Sequence, residues 1–206
     1  FLFTLSFAQS DSLVAYDYSF SFKSGIYLNF NDFRNNSPLP FESLTYPDYS
    51  NNDFFDALDT ISYITYNDKH GISITLPYSS IWGFSKNGKP YIFWSEKTNL
   101  IPYVGSVCHF ITSVKVLYSS YHDPFYDPYY YNPSNRVYES EELRQFLIDM
   151  ETGEILEYNL KNVETILKRE PLIYDEFNKL SKRKKNKQLF YFVRLYNERR
   201  PLMLNE

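Results

Sequence analysis

The feature that most constrains the fold of this 206-residue chain is its wealth of tyrosine and phenylalanine, 21 and 18 residues, set in short alternating runs. Such side chains suit the pleated, half-buried surface of a β-sheet. In the first run, five large apolar side chains occupy every second position from Val14 to Phe22. The sequence therefore predicts a mainly β fold whose first strand covers residues 14–22.

Turn signals between such runs predict three hairpins. The clearest joins residues 81–84 to 90–94 through Asn87-Gly88, a pair that tolerates the positive φ angles of a tight turn. The other two join 61–66 to 72–76 and 145–150 to 155–158. A longer strand is predicted from Val107 to Tyr118. Its expected core face consists of Cys108, Phe110, Thr112, Val114, Val116 and Tyr118.

Helical spacing appears in two places. Asn29 or Asn31 is expected to cap one helical turn anchored by Phe30 and Phe33. Beyond Tyr158 the apolar period becomes helical, and the expected features are an Asn159 cap, a helix start at Pro171, and a buried stripe of Leu189, Phe192, Val193 and Tyr196 that ends before Pro201. The predicted class is α+β, mainly β: an antiparallel sheet or partly open barrel built from hairpins, with two or three C-terminal helices.

The opening residues predict export. Residues 1–8 are interpreted as the end of a signal peptide because small residues precede a cleavage point after Ala8, although a buried first strand is an alternative. Residues 9–158 would form the antiparallel β domain, and residues 159–206 a helical subregion packed on its sheet. No apolar stretch approaches the roughly 20 residues that a transmembrane helix needs. The expected location is the periplasm, the outer membrane surface or the cell exterior.

The most unusual segment is Tyr- and Pro-rich and covers residues 119–135. Repeated proline blocks regular strand pairing, so an exposed loop is predicted. Its candidate binding residues are Tyr121, Tyr126, Tyr129, Tyr130 and Tyr131. Exposed tyrosine can stack on a sugar or contact a protein partner. The alternative is a low-complexity loop whose aromatic side chains fold back on the domain.

Other candidate sites are weaker. His122, Asp123 and Asp127 resemble metal ligands, but they lack further fixed ligands, so no metal and no cofactor are predicted. Cys108 is expected to be a small buried hydrophobe, with His109 on the opposite strand face. No catalytic residue is predicted. The acidic residues Glu139, Glu141 and Glu142 could be a glycosidase pair but are better explained as solvated surface.

Positive charge concentrates near the C-terminus, from Lys182 to Lys187 and again at Arg194, Arg199 and Arg200. This run could contact anionic lipid, lipopolysaccharide or an acidic protein, or it could be a solvated helix face. The formal net charge of −4 argues against chain-wide attraction to nucleic acid.

Two motifs carry a family resemblance. Residues 25–38 read as GIYLNFNDFRNNSP, and residues 81–92 as IWGFSKNGKPYI. This combination resembles a family of small exported Bacteroidota proteins of unknown function. The resemblance implies residence in the cell envelope and transfers no catalytic residue.

These observations favour a non-catalytic cell-envelope protein that binds a protein or glycan partner through the Tyr-rich loop. Two alternatives remain open: a hydrolase acting on cell-wall or glycan material, and an accessory subunit of an outer-membrane complex. The hydrolase alternative requires a polar cleft with at least two converging carboxylates or histidines.

Overall fold

The computed structural model describes residues 13–48, 55, 58, 60–119 and 137–206. Its strands are β1 (Leu13–Ala15), β2 (Gly25–Tyr27), β3 (Leu44–Tyr46), β4 (Tyr63–Asn67), β5 (Ser73–Pro77), β6 (Gly83–Lys86), β7 (Lys89–Trp94), β8 (Lys97–Leu100), β9 (Val107–Ser119), β10 (Val137–Asp149), β11 (Ile155–Glu157) and β12 (Met203–Asn205). Its helices are α1 (Phe30–Arg34), α2 (Leu160–Leu167), α3 (Pro171–Asn178) and α4 (Lys182–Arg199).

The described strands form four antiparallel sheets and close no barrel. Their orders are β2-β6-β7-β8, β3-β4-β5, β11-β10-β9 and β1-β12. The mainly β class with C-terminal helices is confirmed.

All three predicted hairpins are present, as β4–β5, β6–β7 and β10–β11. In the β6–β7 turn, Asn87 and Gly88 have φ angles of 53° and 72°. The turn chemistry therefore located this hairpin correctly, since few other residue pairs adopt positive φ twice in succession.

The prediction of one long first strand is wrong. β1 ends at Ala15, and a turn follows in which the Asp17 carboxylate accepts hydrogen bonds from the backbone N–H of Ser19 at 2.7 Å and from its hydroxyl at 2.6 Å. Tyr18, expected on the apolar face, is 89% exposed. A short aspartate that bonds the backbone two residues on competes with strand pairing, and here it wins.

The alternating pattern also gave no sign of β12. Pro201 does end α4, but the chain then returns as a strand that pairs with β1, with Val14 opposite Leu204. Leu202 and Leu204 are buried in the same cluster as Phe22. The end of the chain is thus part of the β core.

The sheet of β9, β10 and β11 lies between two apolar cores. One face contributes Cys108 and Phe110 to a cluster with the N-terminal aromatics. The other contributes Val107 and Leu147 to a cluster with α2, α3 and α4. The expected core face of β9 is correct for Cys108, Phe110 and Thr112, and Val114 and Val116 are half-buried, but the prediction is wrong for Tyr118, which is 47% exposed. At the other end of the strand the opposite face is buried as well.

Helices α1 and α2 begin at predicted caps. Asn29 accepts a hydrogen bond from the Asp32 N–H at 3.1 Å, and Asn159 accepts one from the Asn162 N–H at 2.9 Å. Pro171 is in the first turn of α3. Among the described residues no helix is both long and apolar enough to cross a bilayer.

Candidate functional site: an arginine-lined cleft

A cleft of about 480 Å³ opens where the end of α4, the turn after β10, α1 and the segment before β12 meet. It is lined by Arg34, Ser106, Asp149, Met150, Glu151, Tyr196, Arg199, Arg200, Pro201, Leu202 and Met203. Three arginines and several apolar side chains therefore share one cavity wall.

Hydrogen bonds between distant parts of the chain fix the cleft walls. The Arg34 side chain donates to the Met203 carbonyl at 2.6 Å, which ties α1 to β12. The Ser106 hydroxyl donates to the Arg200 carbonyl, which ties the turn before β9 to the end of α4. The cleft is thus built by the tertiary fold.

Asp149, which lines the cleft, forms an ion pair with Arg169, which stands outside the lining. Asp149 is 1% exposed, and its Oδ2 lies 2.7 Å from Nη2 of Arg169. Nη1 of the same guanidinium lies 3.3 Å from Oε2 of Glu151, so Arg169 bridges the two carboxylates. The Glu151 N–H donates to Asp149 Oδ1 at 3.0 Å.

The partners of Asp149 determine its charge. Burial alone would raise the pKa of this carboxyl, but the adjacent Arg169 guanidinium and the hydrogen bond from the Glu151 N–H outweigh burial and hold the pKa below its ordinary value. The same contact raises the pKa of Arg169. Both groups therefore stay charged at neutral pH.

The remaining arginines lie nearer the solvent. Arg200 donates to the Tyr196 hydroxyl at 3.2 Å, and its Nη1 is 4.0 Å from Oε2 of Glu151. Arg199 is exposed and has no carboxylate within 4 Å among the described residues. With Arg34, Arg199 and Arg200 against Asp149 and Glu151, the cleft lining has a formal net positive charge.

This arrangement suits an anion. Arginine presents a planar fork of N–H donors that binds carboxylate or phosphate oxygens in pairs. The buried Leu202 and the neighbouring Met150 and Met203 supply apolar surface beside those donors. The cleft can therefore hold an anionic group attached to a partly apolar body.

The candidate binding residues Tyr121, Tyr126, Tyr129, Tyr130 and Tyr131 lie outside the described residues, and so do His122, Asp123 and Asp127. The binding prediction therefore stays a prediction. Within the ranges that the structure describes, no three His, Cys, Asp or Glu side chains form a group that could hold a metal ion.

The acidic residues near the Tyr-rich segment are solvated, as predicted. Glu141 is 54% exposed and pairs with Lys97 at 2.9 Å, and Glu142 pairs with Arg144 at 3.1 Å. Hydrogen bonds from Lys97 and Ser113 lower the pKa of Glu141, so this side chain stays ionised. A glycosidase acid would need a raised pKa.

Cys108 and His109 point to opposite faces, as predicted. Cys108 is fully buried, and burial raises the pKa of its thiol to about 12. The His109 Nε2 lies 2.9 Å from Gln145 Oε1 on the neighbouring strand. Cys108 is thus an unreactive core residue.

Sequence reasoning missed the cleft because its walls come from four separated parts of the chain. Arg199 and Arg200 were noticed as part of a basic run, but nothing in the sequence places Arg34 or Asp149 beside them. Comparisons with protein-family models, with curated proteins and with solved structures find no match for this chain, so the family resemblance stays a prediction.

Proposed function

We propose that this chain is a binding protein that receives an acidic group of a protein or glycan partner in the arginine-lined cleft. The observation that supports this is the meeting of Arg34, Arg199 and Arg200 in one cavity of about 480 Å³. Of these, Arg199 has no carboxylate within 4 Å among the described residues. An exposed guanidinium at the edge of a cavity is ready to pair with a ligand anion.

Binding fits the cleft better than acid–base chemistry does. Asp149 and Glu151 are the two converging carboxylates that the hydrolase alternative asks for. Both contact Arg169, and the lowered pKa of Asp149 removes it as a proton donor at neutral pH. In this proposal the two carboxylates hold the side chains of Arg169 and Arg200 in place.

Titration calorimetry with citrate and with inorganic phosphate tests the proposal on the purified chain. We expect saturable binding of at least one of these anions to the wild type. Replacing Arg199 with Gln should weaken that binding about ten- to a hundredfold, because a charge-assisted hydrogen bond contributes about 1.5–3 kcal/mol.

Arg194→Gln provides the matched control, since Arg194 is an exposed arginine on α4 that pairs with Glu198 at 3.6 Å, outside the cleft. This variant should keep wild-type affinity. Equal weakening in both variants, or no heat from either anion in the wild type, would contradict a site in the cleft.

The Tyr-rich segment is a second, independent contact in this proposal. Ser119 and Val137 pair at the outer end of the β9–β10 ladder, so residues 119–135 are attached there. Deleting them should remove partners recovered from envelope extracts while leaving citrate binding unchanged. Recovery of the same partners after the deletion would remove the segment from the proposal.

We further propose residence in the cell envelope, on the basis of the opening residues and the family resemblance. Fractionation of cells that express the native precursor should place the protein with periplasmic or outer-membrane markers. Recovery with cytoplasmic markers would contradict export.

A further inference from the structure

The outward face of α4 combines cations with exposed aromatic rings. Its buried side consists of Leu189, Phe192, Val193 and Tyr196, which pack into the helical core. Arg183, Lys187, Phe190 and Arg194 follow one another at spacings of three or four, and Tyr191 lies four residues after Lys187 and three before Arg194, so all five share the opposite side. Phe190 and Tyr191 are 42% and 50% exposed.

The positive charge of this face is unfavourable for the helix itself. The N-terminus of a helix carries partial positive charge and favours acidic side chains. The first turn of α4 instead holds Lys182, Arg183 and Lys184 with no acidic residue, and Ser181 makes no side-chain cap. Cations placed against the helix dipole indicate a constraint other than stability.

Most of these cations form no ion pair among the residues that the structure describes. Lys185 lies 3.6 Å from Glu164 and donates to Asn178 at 2.9 Å, so it links α4 to α2 and α3. Lys182, Arg183, Lys184 and Lys187 have no carboxylate within 4 Å in the described part of the chain. They are available to an external anionic surface.

The charge is strongly segregated. The formal net charge is −4 for the whole chain and +6 for α4, which leaves −10 for the rest. A flat anionic surface can touch the basic face alone, whereas a polyanion that wraps around the molecule also meets the acidic remainder.

The two aromatic rings are placed for an interface. Tyr191 lies between cations of the face, with the Arg194 guanidinium 5.9 Å from its ring centre. Phe190 rests against Tyr103 at 5.0 Å between ring centres and stays partly open to solvent. At a bilayer surface such rings lie at headgroup depth while cations reach the phosphates.

We propose that the protein docks on an anionic phospholipid surface through α4, with the helix axis parallel to the membrane plane. The 18-residue helix is about 27 Å long, so its cations and aromatic rings can contact the surface together. Duplex nucleic acid would satisfy the cations but would leave the exposed parts of the Phe190 and Tyr191 rings in water. The lipid surface accounts for both features.

Co-sedimentation with vesicles tests this proposal. The probes are vesicles of phosphatidylcholine alone and of phosphatidylcholine with 30% phosphatidylglycerol. We expect binding to the second kind only. The double variant Lys184→Gln/Lys187→Gln should bind about 30-fold more weakly, because each cation near an anionic membrane contributes about 1 kcal/mol.

The double variant Lys69→Gln/Lys89→Gln is the matched control. It removes the same charge from two exposed positions outside α4, one between β4 and β5 and one at the start of β7. Its vesicle binding should therefore stay close to wild type. Tyr191→Ser should also weaken binding, which a purely electrostatic contact would not show.

Three results would overturn the proposal: no preference for anionic vesicles, equal losses in the two double variants, or tighter binding to duplex DNA than to vesicles at the same salt concentration. Citrate binding by Lys184→Gln/Lys187→Gln should remain unchanged, because neither lysine lines the cleft. Failure of membrane docking is therefore distinguishable from failure of the cleft proposal.

Discussion

The β9–β10 ladder is one continuous structure with two very different halves. Thirteen residue pairs run from Asp149 opposite Val107 to Val137 opposite Ser119. In the inner half, around Phe110 and Leu147, side chains on both faces are buried in apolar clusters. In the outer half, Leu143 is 80% exposed and Leu117 is 69% exposed.

The difference teaches that backbone pairing and side-chain burial are separate sources of order. The same ladder continues through both halves, but among the described residues only the inner half has apolar layers packed on each side. In the outer half, ion pairs such as Lys97 with Glu141 and Lys115 with Glu96 replace apolar contacts. Exposed pairs of this kind contribute about 0–1 kcal/mol each, so the stability of the fold should rest on the inner half.

We expect the largest loss of stability when apolar packing in the inner half is removed. Replacing Phe110 with Ala removes a fully buried ring that stacks on Phe146 with 5.6 Å between ring centres. We expect a loss of about 3–5 kcal/mol in the free energy of unfolding, because the cavity closes only in part. Urea unfolding followed by tyrosine fluorescence measures this loss. A loss below about 1 kcal/mol would show that the two halves contribute alike.

The second prediction compares two arginine–carboxylate pairs, one at the inner end of the ladder and one near its middle. Arg169→Ala leaves Asp149 buried without its cation, and we expect a loss of about 3 kcal/mol. Arg144→Ala removes a half-exposed cation near the middle of the ladder that pairs with Glu142 and Glu157, and the expected loss is below about 1 kcal/mol. Similar losses in the two variants would contradict the comparison.

The pH dependence of the Arg169 variant sharpens this test. In the wild type the lowered pKa of Asp149 contributes stability above about pH 3.8, its ordinary value, and that contribution is lost as the pH falls through the folded pKa. In the variant Arg169 no longer lowers this pKa, so the variant should lose less stability in acid than the wild type does. Urea unfolding at pH 7 and pH 3.5 measures the difference in free energy of unfolding between the wild type and Arg169→Ala. We expect this difference to be smaller at pH 3.5.

Local chemistry explains which parts of the fold could be predicted from the sequence. Asn87-Gly88 marked the β6–β7 hairpin, and Asn29 and Asn159 marked helix starts, because each residue acts within its own turn. The first strand was overextended because the Asp17 turn interrupts an alternating pattern that continues through it. β12 was missed since its pairing with β1 joins opposite ends of the chain.

The candidate site was less accessible to sequence reasoning than the fold. A two-residue period assigns side chains to two faces, but it cannot say that both faces of β9 have a layer to pack against. The cleft depends on that second layer, because Arg169 follows α2 and meets Asp149 at the end of β10. Its residues converge only after α2, α3 and α4 have packed on the sheet.

The smallest expected effect is in the outer half of the ladder. Leu143 is large and apolar, and its residue type alone would suggest a place in the core. It is nevertheless 80% exposed, and it lies opposite Ser113. Leu143→Ala removes little buried surface, and we expect the free energy of unfolding to change by less than about 0.5 kcal/mol. Leu147→Ala, four residues further along the same strand and fully buried, is the matched control, with an expected loss of about 2–5 kcal/mol. Urea unfolding of both variants measures the contrast. A large loss from Leu143→Ala would mean that a further layer covers the outer half in solution, and the division of the ladder into a packed and an open half would fail.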